Sequence, residues 1–220
     1  MRQLLLGSAL ALGLAAPAQA VNFVFNDVSN GGMSAQQRAG FQAAADFWSG
    51  KLGDNVTVYL DIGFNDLGQN VLGSTGATFV STTYSSVRGA LQADVSSALD
   101  QSAVAHLQNS ATLSFWATQG DGSARFDNDG SANNRYLGMT SANAKALGYI
   151  IPTSSALADA RIVFANAYAD DFAYSRNGGT PANKVDFITV AQHEIGHALG
   201  FTSGVDDIDY CMAPRNGAMQ

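Results

Sequence analysis

Two β-branched and aromatic runs, residues 22–25 and 56–62, flank a segment in which Phe41, Ala44, Ala45 and Trp48 recur three or four apart. That spacing predicts a helix. Ser34 stands where its N-cap belongs, Gln37 completes a capping box, and Gly50 marks its end. The flanking runs are bounded by Asn, Asp and Gly, which suits strands. A second helix is expected over residues 86–106, where Val87, Leu91, Val95, Leu99 and Val104 recur at roughly helical intervals. Residues 113–117 and 161–165 read as further strands, the latter followed by a polar, Asp- and Gly-rich loop through Pro181. A last helix begins after the cap Asp186. It carries Phe187, Ile188, Val190, Ala191, Ile195, Ala198 and Leu199 on an apolar face, and it stops at Gly200. Strands mixed with helices predict an α+β or α/β domain.

The first twenty residues, MRQLLLGSALALGLAAPAQA, combine one basic residue, an apolar run from Leu4 to Ala16 and a small-residue exit at Ala18-Gln19-Ala20. This is the pattern of a secretory signal peptide, with an apolar run too short for a membrane anchor. Residues 1–20 are therefore expected to be removed and residues 21–220 to form one exported domain, extracellular or periplasmic, with no transmembrane segment. The mature part carries ten basic and eighteen acidic residues, a formal charge of -8. Such a surface repels phosphate backbones, so nucleic acid is rejected as a partner. The single cysteine, Cys211, has no partner for an internal disulfide.

Candidate chemistry is concentrated in the last helix, where VAQHEIGHALGF contains H-E-x-x-H. Residues four apart stack on one helical face, so His193 and His197 can grip one Zn²⁺. Glu194 then lies beside the metal, placed to take a proton from water acidified by it and to pass that proton to a leaving amine. Glu194 is the only glutamate in the chain, and two of its three histidines belong to the motif.

This block resembles the active-site helix of metzincin metallopeptidases, especially the matrixin branch. HEIGHALGF followed by SGVD is similar to exported bacterial metallopeptidases. The resemblance implies a zincin-like α+β domain, a mixed sheet with a long active-site helix, and peptide or protein as substrate. It also implies a methionine turn at Met212, within Tyr210-Cys211-Met212-Ala213-Pro214. Residues 158–165 look like the matrixin strand on which substrate is laid, so Ile162, Val163 and Phe164 are expected at a sheet edge and to bind peptide by strand addition. The position of the family's third histidine is occupied here by Ser203. Asp206 is the first candidate to complete the metal site and Asp207 the second. Residues 204–210 resemble the element of aspartate-ligated zincins that would favour Asp207. Only eight residues follow Met212, fewer than in metzincins, so the domain is either C-terminally incomplete or shortened in this branch.

Residues 127–134, DNDGSANN, offer two readings. Oxygen side chains at alternate positions around Gly130 suit a Ca²⁺ loop, and the same letters suit an Asn/Asp-rich turn. His106 reads as a helix-terminal residue and Cys211 as a buried small one. Trp48, Trp116 and the phenylalanines read as core. The function expected from all this is a secreted zinc metalloendopeptidase. The rival is a catalytically silent exported surface or binding protein that keeps the zinc helix as a structural element.

Overall fold

Val58, Leu60, Ile62 and Phe64 alternate with Thr57, Tyr59 and Asp61, the period of a strand buried on one face, and all four of the first set are buried. The computed structural model describes residues 20–118 and 123–203. In chain order the elements are β1 (Asn22–Asp27), α1 (Ala35–Ser49), β2 (Thr57–Asn65), β3 (Gly73–Ala77), β4 (Phe79–Thr83), α2 (Tyr84–Ala93), α3 (Ala98–Ala105), β5 (Phe115–Thr118), β6 (Ala124–Asp127), α4 (Ala132–Arg135), β7 (Tyr136–Thr140), α5 (Ser141–Ala146), β8 (Ala160–Ala165), a 3-10 turn (Asn166–Asp171), β9 (Phe172–Ala173), β10 (Val185–Asp186) and α6 (Phe187–Leu199).

The main sheet has the order β1-β2-β8-β3. Its first three strands are parallel and β3 runs antiparallel to β8. The fold is thus α+β with a mixed sheet. Leu60, Ile62 and Phe64 stand opposite Ala160, Ile162 and Phe164 in register, so both strands bury the same face. Helices α1 and α6 cover that face. Phe187 of α6 lies 5.0 Å from the Phe41 ring of α1 and 4.6 Å from the Phe164 ring of β8, centroid to centroid. Burial of these rings is the main force holding α6 on the sheet. The approach is close at Gly40, where a Cβ would stand 2.6 Å from Phe187 Cδ1.

Helix α1 begins as its sequence requires. Ser34 Oγ accepts from Gln37 N, and Gln37 Oε1 accepts from Ser34 N at 2.8 Å. The helix expected over residues 86–106 is two helices. Ser97 and Asp100 form a second capping box that starts α3 afresh, with Asp100 Oδ2 accepting from the Ser96 and Ser97 amides. Ile162, Val163 and Phe164 are not at an edge, because β3 covers the outer side of β8. The edge there is β3, with Thr75 opposite Ile162. Trp116 is not core either: it is 68% exposed and packs on Phe126 across the β5–β6 hairpin. Among the described residues no helix is long and apolar enough to cross a membrane.

Candidate metal centre

Asp186 and Gly200 set the bounds of α6. The Asp186 carboxylate accepts from the amides of Ile188, at 3.0 Å, and Thr189, at 3.3 Å. At the other end Gly200 takes φ 105°, a left-handed conformation suited to glycine, and Phe201 N returns to Gly196 O at 3.0 Å. Between these caps the helix is regular, so His193 and His197 share a face. Their Nε2 atoms are 2.9 Å apart and their ring planes cross at 83°.

His197 is oriented by its other nitrogen, because Nδ1 lies 2.8 Å from Phe201 O. A carbonyl only accepts, so Nδ1 carries the proton, and in the neutral ring Nε2 then presents a lone pair towards His193. This carbonyl bond is the outer-shell arrangement that fixes a metal-ligating imidazole. The Phe201 ring packs against Trp48 at 5.2 Å, and Trp48 Nε1 donates to Gln192 O at 2.9 Å, so α1 braces the turn that supplies the carbonyl.

Glu194, next to His193 in sequence, enters the contact between α6 and β3 and is 8% exposed. Thr75 Oγ1 donates to its Oε2 at 2.6 Å and lies 3.0 Å from its backbone oxygen. On the same strand Gly73 leaves room for the carboxylate: a Cβ there would be 3.3 Å from Glu194 Oε1. Thr75 and Gly73 are absent from the residues that sequence reasoning singled out. β3 reads GSTGA and has no apolar alternation to mark it as a strand.

Two imidazole nitrogens on one tetrahedral zinc stand roughly 3.3 Å apart at bond lengths of about 2.0–2.1 Å. The observed separation is within a few tenths of an ångström of that value, and the ligand-type nitrogens face each other, so the residues fit a zinc ion. Among the described residues no group of three or more His, Cys, Asp or Glu gathers, and His193 and His197 stand as a pair. Asp206, Asp207 and Met212 lie outside the described residues. His106 caps α3, where its Nδ1 donates to Ser102 O at 2.6 Å, and it takes no part in this site. Comparison with protein-family models, curated proteins and solved structures finds no match for the chain.

Proposed function

We propose that the chain is an exported zinc-dependent metallopeptidase of zincin-like architecture. One observation carries the reading: two helical imidazoles one turn apart have converging Nε2 atoms, and the residue that follows the first of them in sequence, Glu194, is a buried carboxylate. His193 and His197 hold the metal, and the acidic segment after Ser203, Asp206 first and Asp207 next, completes its ligands. Zinc bound there supplies Lewis acidity, which acidifies water and polarises a carbonyl oxygen. Glu194 serves as general base. Its carboxylate takes a proton from the attacking water and returns it to the amine of the broken peptide bond. Thr75 keeps one carboxylate oxygen engaged, so that Glu194 meets the water with a fixed orientation.

Strand addition moves from β8 to β3. Ala165 N donates to Leu72 O and Thr78 N donates to Asp159 O, so even-numbered positions of this antiparallel ladder exchange bonds with β8. The N–H and C=O groups of Gly73, Thr75 and Ala77 are then turned to the open side of the sheet. An extended peptide laid there runs past the strand that touches Glu194.

The silent-protein reading makes a different prediction about Glu194, since a structural zinc has no use for a carboxylate beside it. The deciding experiment expresses the chain, quantifies zinc, and compares casein hydrolysis with Glu194→Gln. Zinc retained in both proteins with cleavage abolished in the variant supports the assignment. Equal cleavage by both removes Glu194 as the base, and zinc without any cleavage by the parent chain favours the structural role.

A further inference from the structure

Within residues 127–134 the fold buries two side chains, Asp127 at 2% and Asn134 at 1% exposure. The alternate-position pattern does not survive in the structure. Asp129 Oδ1 accepts from Ser131 N at 2.8 Å, and Ser131 Oγ donates to Asn133 Oδ1, so these groups form an ordinary Asx turn around Gly130. The buried pair is different. Asp127 Oδ2 accepts from Asn133 Nδ2 at 2.9 Å and from Arg125 Nη2 at 3.3 Å, whereas Asp127 Oδ1 has no partner. Asn134 Nδ2 donates to Leu113 O at 2.9 Å and to Asp127 O at 3.3 Å. Because carbonyls only accept, those bonds fix which way the amide points. Asn134 Oδ1 is therefore left as a second buried acceptor without a donor.

The large majority of buried side-chain oxygens in folded proteins have a partner, from the protein or from ordered water. Among the described residues no N–H or O–H reaches either of these two, which leaves each open to a partner that the described residues do not supply. We propose that Asp127 Oδ1 and Asn134 Oδ1 are ligands of a hard divalent cation of the calcium class. Backbone oxygens and water make up its usual six to eight ligands. The donors are a carboxylate and a neutral amide with no nitrogen or sulfur among them, which suits calcium rather than zinc.

The placement gives such an ion a task. The β5–β6 hairpin is a lone two-stranded ribbon, a unit of marginal stability in isolation. Asp127 stands opposite Phe115 in its register, and Asn134 bonds both the amide and the carbonyl of Leu113, two residues earlier. Both residues are fastened to the same stretch of chain at the base of the hairpin. A cation shared by them staples β6 to α4 in a chain whose single cysteine cannot form an internal disulfide.

The test uses the full chain, freed of calcium on a chelating resin and resupplied with equimolar zinc, so that the histidine pair does not compete. CaCl2 and MgCl2 are titrated at equal ionic strength while the melting temperature is followed. Terbium luminescence excited through Trp116, whose register partner Phe126 adjoins Asp127, reports occupancy directly. The expected results are a saturable rise in melting temperature with calcium, a smaller one with magnesium, and terbium emission displaced by calcium. Asp127→Asn and Asn134→Leu should each weaken calcium binding at least tenfold. Should either variant fail to fold, Trp116→Phe serves instead, keeping the calcium-dependent rise and losing the terbium signal. The absence of both responses in the parent chain overturns the proposal and leaves water as the partner of the two oxygens. A calcium response undiminished in both variants, or terbium emission unchanged in Trp116→Phe, overturns it equally.

Discussion

Thr75 reaches Glu194 from a strand that carries no apolar side chain larger than alanine, and its hydroxyl lies 2.6 Å from Oε2. A hydrogen bond to a charged group contributes about 1.5–3 kcal/mol, and about 1.4 kcal/mol is a tenfold change in rate. Under the proposed function, Thr75→Val should lower kcat by roughly tenfold and move KM less. Thr75→Ser, which keeps the donor, should retain most of the activity. Steady-state kinetics on a peptide substrate, with zinc content measured in parallel, checks this. A Val variant with unchanged kcat removes Thr75 from the positioning of the base.

Much of α1 and α6 was legible because their signals are local. Ser34 and Gln37 specify one start, Asp186 and Gly200 specify both ends of the other, and apolar spacing fixes the buried face. The rest depended on partners distant in sequence. Apolar spacing continues from Val87 through Leu99 to Val104, yet the chain breaks where Asp100 turns back on the amides of Ser96 and Ser97. Leu99 is accordingly 82% exposed, and its place in the pattern has nothing to do with burial. β3 is a strand because β8 offers it a ladder, and its Gly, Ser and Thr carry no periodic signal of their own. That invisibility put β8 at the sheet edge in the sequence reading and hid Thr75 from the site.

His193 and His197 yield a prediction about stability that is independent of substrate. A metal that binds the native pair stabilises by RT ln(1 + [L]/Kd), about 2.7 kcal/mol at a hundredfold excess over Kd. Melting temperature should rise with zinc concentration in the parent chain and stay flat in His193→Ala and His197→Ala. Chelation should reverse the rise and abolish peptide cleavage, and added zinc should restore both. Differential scanning calorimetry across a zinc series reads the first effect. A parent chain insensitive to zinc would remove the metal from the assignment.

Asp159 tests what holds the site's sheet together. Its carboxylate is fully buried between β2 and α5, where it accepts from Lys145 Nζ at 2.6 Å, Ser141 Oγ at 2.6 Å and Tyr59 N at 2.8 Å. Lys145 Nζ also donates to Thr57 O at 2.5 Å and Thr153 Oγ1 at 2.9 Å. Removing one member of a buried ion pair strands the other, at a cost of about 3–5 kcal/mol. Urea denaturation should show losses of that order for Asp159→Ala and for Lys145→Met, with the double variant losing less than the sum. Additive losses would mean that the two residues act separately.

Asp186 ties the stability of α6 to pH. Partial burial pushes its carboxyl upward, but bonds from the Thr189 hydroxyl and amide together with the Arg176 guanidinium outweigh that. Its pKa is held below the ordinary 3.8. Arg176 Nε stands 2.7 Å from Oδ2 and Nη2 reaches Thr189 Oγ1 at 2.7 Å, so the charge of Asp186 is engaged as well as its capping geometry. A carboxyl depressed on folding contributes stability that is present above its unfolded value and is lost as pH falls through its folded value. Asp186→Ala removes both cap and charge, and at neutral pH it should cost about 0.5–2 kcal/mol. Asp186→Asn retains a cap acceptor and should cost less. The distinguishing outcome lies in acid, because the difference between parent and Asn variant should shrink towards zero as pH drops below 3.8. Thermal melts of the two proteins from neutral pH down to that range measure it. A constant difference would show that the cap acts through geometry alone, with no contribution from the ionised form.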